Sequence, residues 1–191
     1  MPQSHFPAHT VETAPEGARR TMKGSTAKFG YLPDGVARLA ESPETLNAFL
    51  AISAAFEATT LDKLARETVI MTMATRNGCE LCVAMHTAML TRAGADPALI
   101  AALRDGTSLP DARLAAVRRF TLDVLAATGD VAPERVAEFL AHGFTARNAL
   151  EVVMGIGAYT LSTLANRLTG AEVDAQLASF AWHPGAPAVT V

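Results

Sequence analysis

Residues 61–94 read LDKLARETVIMTMATRNGCELCVAMHTAMLTRAG. The stretch resolves into two helices joined by a turn. Leu64, Glu67, Ile70, Met71 and Ala74 recur at spacings of three and four, which puts them on one helical face. Asn77-Gly78 then breaks the helix, and a second one runs from Cys79 to Gly94. On that second helix Cys79, Cys82 and His86 are again three and four apart and share a face with Val83, Met89 and Leu90. Glu67 is the one carboxylate on the apolar stripe of the first helix. A buried carboxylate is costly without a partner, so the turn is expected to fold Glu67 toward the thiols and the imidazole. Pairing with Arg66 or Arg92 is the duller alternative.

Working outward, the same punctuation recurs along the chain. Pro33 to Glu41 reads as a short helix, and Ser42-Pro43 caps and opens one to about Thr59. Thr60 is read as the cap of the 61–76 helix. Asp96-Pro97 opens a short helix ending at Gly106, and Pro110 a longer one to about Thr128. Ala132-Pro133-Glu134 opens the next, to His142. Thr145 caps the longest, which reaches Leu168 with Gly170 beyond it. No strand pattern is present. The expected architecture is therefore an all-α, single-domain bundle of about seven to eight helices. Residues 33–170 form its core, 1–32 an N-terminal tail packed on a neighbouring subunit or partly disordered, and 171–191 a C-terminal tail.

The bulk properties narrow the function. Half of the 191 residues are hydrophobic, 18% are charged, and the formal net charge is -3. That balance does not suit a nucleic-acid surface. The longest apolar run, Val152 to Leu164, is too short and too polar to span a bilayer. No signal peptide is legible at the N-terminus. Two cysteines only two residues apart would staple little, so the pair points to chemistry. A reducing, cytoplasmic setting is expected, without nucleic acid or membrane as partner.

That chemistry needs a thiolate, since the thiol itself hardly attacks. His86 can take a proton from Cys82, directly or through water, and Glu67 can orient the imidazole. The helix start favours an anion at Cys79 instead. The spacing does not choose between the two sulfurs. Cys79, Cys82, His86 and Glu67 also form a ligand set that zinc accepts, so a metal-binding module is an alternative. A non-catalytic oligomeric protein or redox sensor is another. Elsewhere, Asn166 shares a stripe with Tyr159, Ser162 and Thr163 and is expected either to line a pocket or an interface or to be a hydrogen-bonded core asparagine. Glu151 is expected to pair with Arg147, Gly155 and Gly157 to allow close packing, and His142 to sit at a helix end. Phe180 and Trp182 are expected to anchor the C-terminal segment, and His5, His9 and His183 receive no role.

Glu67, eleven residues, Cys79-x-x-Cys82, three residues and His86 together resemble the signature of the alkylhydroperoxidase D-like proteins of the carboxymuconolactone decarboxylase superfamily. TRNGCELCVAMHTAMLTRAG (75–94) is similar to the core of the peroxidase-related branch. The likeness extends through FGYLPDGVARLAESPE (29–44) and ALEVVMGIGAYTLSTLANRLTG (149–170). The resemblance implies an all-helical fold and homo-oligomers such as dimers, trimers or hexamers. It implies reduction of alkyl hydroperoxides by a dithiol–disulfide cycle, an antioxidant peroxidase activity needing no cofactor. A dithiol, lipoyl or thioredoxin-like donor would return the electrons. By the same resemblance Cys82 attacks, Cys79 resolves, Glu67 is the base and His86 relays the proton. The sequence departs from the pattern at Leu81, where well-known members carry a second histidine. Decarboxylating members generally lack the cysteine pair, so decarboxylation is not implied.

Overall fold

The computed structural model describes residues 5–185; the outermost parts of both expected tails, 1–4 and 186–191, lie outside the described residues. Among the described residues there are nine α-helices, one 3-10 helix and no strand. All eight helices expected from the sequence are present, as α2 (Asp34–Leu39), α3 (Pro43–Glu57), α4 (Lys63–Arg76), α5 (Glu80–Arg92), α6 (Pro97–Asp105), α7 (Ala112–Ala126), α8 (Pro133–Ala141) and α9 (Ala146–Thr169).

The ninth helix corrects the reading of residues 1–32 as a tail. Helix α1, Glu16–Phe29, lies within that segment and packs on α3 of its own chain. Ala18, Met22 and Ser25 are its buried positions, spaced four and three apart. Ala18 and Met22 join Ala14, Leu39, Ala40 and Leu46 in a small second core. The pattern is hard to see because alanine and serine carry two of its three positions, and Pro15, Gly17 and Gly24 dilute it. The expected C-terminal tail is also built onto the body. A 3-10 helix, Ala175–Phe180, packs on α5 with Leu177 buried. Arg104 donates to the carbonyls of Phe180 at 3.0 Å and Ala181 at 2.9 Å. Phe180 and Trp182 pack against the main core. The histidines given no role help tie down both ends: His9 meets Glu41 at 2.8 Å and His183 meets Glu80 at 3.0 Å.

Two helix starts differ from the sequence reading. Asp62, not Thr60, caps α4, its carboxylate accepting from the Ala65 N–H at 3.0 Å. The Thr60 hydroxyl is taken by the Glu151 carboxylate and the Asn148 amide. Helix α7 begins at Ala112 with Asp111 as its cap, two residues past Pro110. Thr145 and Asn148 close a reciprocal capping box at the head of α9.

Helix α4 runs through the centre, against α5, α7 and α9. Every residue from Glu67 to Ala74 is buried, so the helix is enclosed on all sides rather than amphipathic. Gly155 lets α9 approach it: a Cβ there would lie 2.6 Å from the Phe56 ring and 2.9 Å from Val69. Gly157 has no such role, since a Cβ there would meet nothing within 4 Å. Glu151 is structural, as expected. It pairs with Arg147 at 3.0 Å and accepts the N–H groups of Thr60 and Leu61, closing the α3–α4 connection onto α9. His142 forms the C-cap of α8.

Candidate active site

The α4–α5 turn places the expected group together. Cys79 is the residue that caps α5, and Cys82 lies in its first turn. Both are free thiols, and they approach to 3.1 Å. Glu67 reaches across from α4, and its Oε2 lies 2.8 Å from His86 Nδ1 with both side chains buried. The arginine alternatives for Glu67 fall away: Arg66 donates back to the Leu61 carbonyl, and the carboxylate pairs with the imidazole. The edge of the Tyr159 ring packs on the imidazole at a centroid distance of 5.5 Å.

Helix α9 supplies the polar contacts to sulfur. Asn166 Nδ2 donates to Cys82 Sγ at 3.3 Å and lies 3.9 Å from Cys79 Sγ. The Ser162 hydroxyl lies 3.8 Å from Cys82 Sγ. Asn166 thus lines the site, as one of the two sequence readings had it. The expectation that His86 takes the Cys82 proton directly is corrected here. The hydrogen-bond partners of Cys82 are Cys79, Ser162 and Asn166, and the imidazole is turned to Glu67. The reason is geometric: the Glu67 bond fixes the ring by Nδ1, so only Nε2 remains for other work.

The two sulfurs have opposite electrostatics. Hydrogen bonding from Cys82 lowers the Cys79 thiol to about 7, aided by Asn166 and the nearby charge of Arg167 and opposed by burial. The hydrogen bond and charge of Cys79, together with burial, push Cys82 well above the ordinary thiol range. When the pair loses a proton, the charge therefore rests mainly on Cys79, hydrogen-bonded by Cys82. Arg167 does double duty, donating to the Asn77 carbonyl at 2.5 Å and the Gly78 carbonyl at 3.1 Å. Gly78 sits at φ 63, and a Cβ there would collide with that guanidinium.

A cavity of about 360 Å³ opens onto this group. Cys82, His86, Ser162 and Asn166 line it, whereas Cys79 lies behind Cys82 and does not. Its walls are largely apolar: Phe29 of α1, Leu39 of α2, Phe49 and Leu50 of α3, Met85 and Met89 of α5. Sequence reasoning missed the α1 and α3 walls, because nothing in local spacing says which distant helix covers a site. Leu81 also lines the cavity, packed toward Gly35 in the place that would hold a second relay histidine. Among the described residues no three His, Cys, Asp or Glu side chains converge as metal ligands. No helix among them is long and apolar enough to cross a membrane.

The carboxymuconolactone decarboxylase family model matches residues 40–123. No curated protein matches the chain. Among solved structures, a peroxidase-related protein from Ralstonia eutropha JMP134, described as an alkylhydroperoxidase AhpD core, superposes with a TM-score of 0.81 at 24% identity over 93% of this chain and 95% of that one. A peroxidase-related protein from Silicibacter sp. TM1040 gives 0.76 at 22% identity, over 91% and 92%. The debrominase Bmp8 in complex with 2,3,4-tribromopyrrole gives 0.74 at 14% identity, over 94% and 96%. At these identities the superpositions show a shared fold.

Proposed function

With residues 40–123 belonging to the carboxymuconolactone decarboxylase family, we propose that the chain is a thiol-dependent peroxidase that reduces apolar organic hydroperoxides. The observation that carries this reading is the placement of two free thiols 3.1 Å apart at the end of an apolar cavity, one lining it and the other behind.

The steps follow from that placement. Cys82 passes its proton to Cys79 and attacks the terminal oxygen of the hydroperoxide as a thiolate. The O–O bond breaks, Cys82 becomes a sulfenic acid, and the organic oxygen leaves as an alkoxide. His86 lines the cavity with its Nδ1 held by Glu67, so it protonates that alkoxide through Nε2. Cys79, deprotonated again, attacks the Cys82 sulfur and expels hydroxide, which takes up a proton to leave as water. The sum is two thiols and one hydroperoxide giving a disulfide, an alcohol and water. An external dithiol then restores the pair. The walls of Leu39, Phe49, Leu50, Met85 and Met89 favour a substrate with an apolar body over hydrogen peroxide.

The protein is further proposed to act as a homo-oligomer. Leu150, Val153, Leu164 and Leu168 form an exposed apolar stripe along α9, between 47% and 73% exposed. A contiguous apolar stripe of this kind supports the reading that a second copy covers it.

Steady-state turnover of cumene hydroperoxide and of hydrogen peroxide, with dithiothreitol as donor, tests the proposal. The expected result is a higher kcat/KM for cumene hydroperoxide, abolished by Cys82→Ser. Full turnover in Cys82→Ser would overturn it.

A further inference from the structure

Leu81, next to Cys82, offers no polar group, so the polar contacts to sulfur come from α9. Asn166 is buried, and its Nδ2 reaches both sulfurs, at 3.3 and 3.9 Å. An amide N–H can donate but cannot accept, so it favours whichever sulfur is an anion. The other end of the amide is held by the fold. A Cβ on Gly35 of α2 would lie 2.7 Å from Asn166 Oδ1, so glycine is what leaves room for the carboxamide in this orientation.

We propose that Asn166 is a catalytic residue of the dithiol: its Nδ2 bridges the two sulfurs and stabilises the thiolate as the charge passes from Cys79 to Cys82. When the Cys82 proton moves to Cys79, the anion moves the other way and remains within reach of the same donor. Ser162 supplies a second hydroxyl donor to the attacking sulfur. The amide thus lowers the barrier to making the cavity-facing sulfur the nucleophile. The proposal takes its site from the peroxidase reading but concerns only the protonation of the thiols.

The titratable groups nearby are Glu67 from α4 and His86 from α5, paired with each other, and Tyr159 and Arg167 from α9. Lys28 of α1 and Glu57 of α3 are exposed residues of the cavity lining, 3.8 Å from each other. Arg167 acts on Cys79 and is held at the turn by two carbonyls. Of the neutral side chains from α9, Asn166 is the one within reach of both sulfurs.

The test is the pH dependence of iodoacetamide alkylation of the fully reduced chain, for wild type, Asn166→Ala, Asn166→Asp and Gly35→Ala. Losing a charge-assisted hydrogen bond should raise the alkylation midpoint by about one pH unit and slow the reaction about tenfold near neutrality. In alkaline solution Asn166→Ala should regain the wild-type rate. Asn166→Asp should raise the midpoint further, because its carboxylate repels a thiolate. Gly35→Ala should raise it in the same direction without touching sulfur, and it reports if the Asn166 variants fail to fold. A midpoint unchanged in every folded variant, with rates reduced alike at all pH values, would reduce Asn166 to a packing role and overturn the proposal. The readout needs no peroxide. The expected midpoint shift in a protein that does not turn over hydroperoxide would refute the peroxidase reading and leave this assignment standing.

Discussion

His86 Nδ1 and Glu67 Oε2 meet at 2.8 Å between α5 and α4, inside the protein, and this bond decides what the imidazole can do. With Nδ1 engaged, Nε2 is the nitrogen left for work in the cavity that His86 lines. In the proposed reaction His86 delivers a proton to the leaving oxygen rather than collecting one from Cys82.

Glu67→Gln keeps a hydrogen-bonding group at that position and removes the charge. Peroxide turnover should fall about 10²-fold, the ordinary contribution of one positioned proton donor. The alkylation rate of the reduced thiols should change little, because the sulfurs take their partners from α9. Comparing the two rates in the same preparation separates proton delivery to the substrate from activation of the thiol. Equal losses in both would place Glu67 on the thiols instead.

Charge and access fall on different sulfurs. The Cys79 thiol is lowered to about 7, yet Cys82 is the one that lines the cavity. Alkylation of the native protein should therefore rise as pH increases through about 7, where the thiolate forms, while the adduct is carried by Cys82. Peptide mass mapping of partially alkylated protein, at a series of pH values, checks both halves. An adduct chiefly on Cys79, or a midpoint at an ordinary thiol value of about 8.5, would contradict the arrangement.

The two glycines of α9 predict opposite effects on stability. Gly155→Ala puts a Cβ 2.6 Å from the Phe56 ring and 2.9 Å from Val69, so it should destabilise by about 1–3 kcal/mol. Gly157→Ala meets nothing within 4 Å and removes the backbone freedom of a mid-helix glycine. In the Leu164→Asp, Leu168→Asp background, where that face of α9 is uncovered, it should stabilise by about 0.5–1 kcal/mol. Chemical denaturation of the two variants at equal concentration gives the comparison.

Leu164 and Leu168 are 54% and 71% exposed on the same helix. If their stripe is covered by another copy, the double variant Leu164→Asp, Leu168→Asp should shift sedimentation toward a smaller species while leaving the helical circular dichroism intact. Unchanged sedimentation would place any interface elsewhere.

The sequence was most informative where the signal is local. The α4–α5 hairpin, its turn and the shared face of Cys79, Cys82 and His86 follow from spacings of three and four. The partner of Glu67 was legible because an unpaired buried carboxylate is so unfavourable. Contacts from far along the chain were not legible in the same way. The stripe of Asn166 and Ser162 was visible, but its meeting with Cys82, more than eighty residues earlier, depends on how α9 packs. Helix α1 escaped notice because alanine and serine carry its buried face, although it forms a wall of the cavity. Thr60 looked like a cap because its residue type suits one. A tertiary contact with Glu151 outweighed that preference.

The central claim is that the two sulfurs act as one redox centre on a hydroperoxide. The most direct measurement mixes the reduced chain with one equivalent of cumene hydroperoxide, without any donor. It then counts remaining thiols, alcohol formed and disulfide-linked peptides. The account predicts loss of both thiols, one equivalent of alcohol and a Cys79–Cys82 disulfide, with Cys79→Ser stopping at a sulfenic acid on Cys82. Thiols that survive unchanged while the hydroperoxide persists would contradict it.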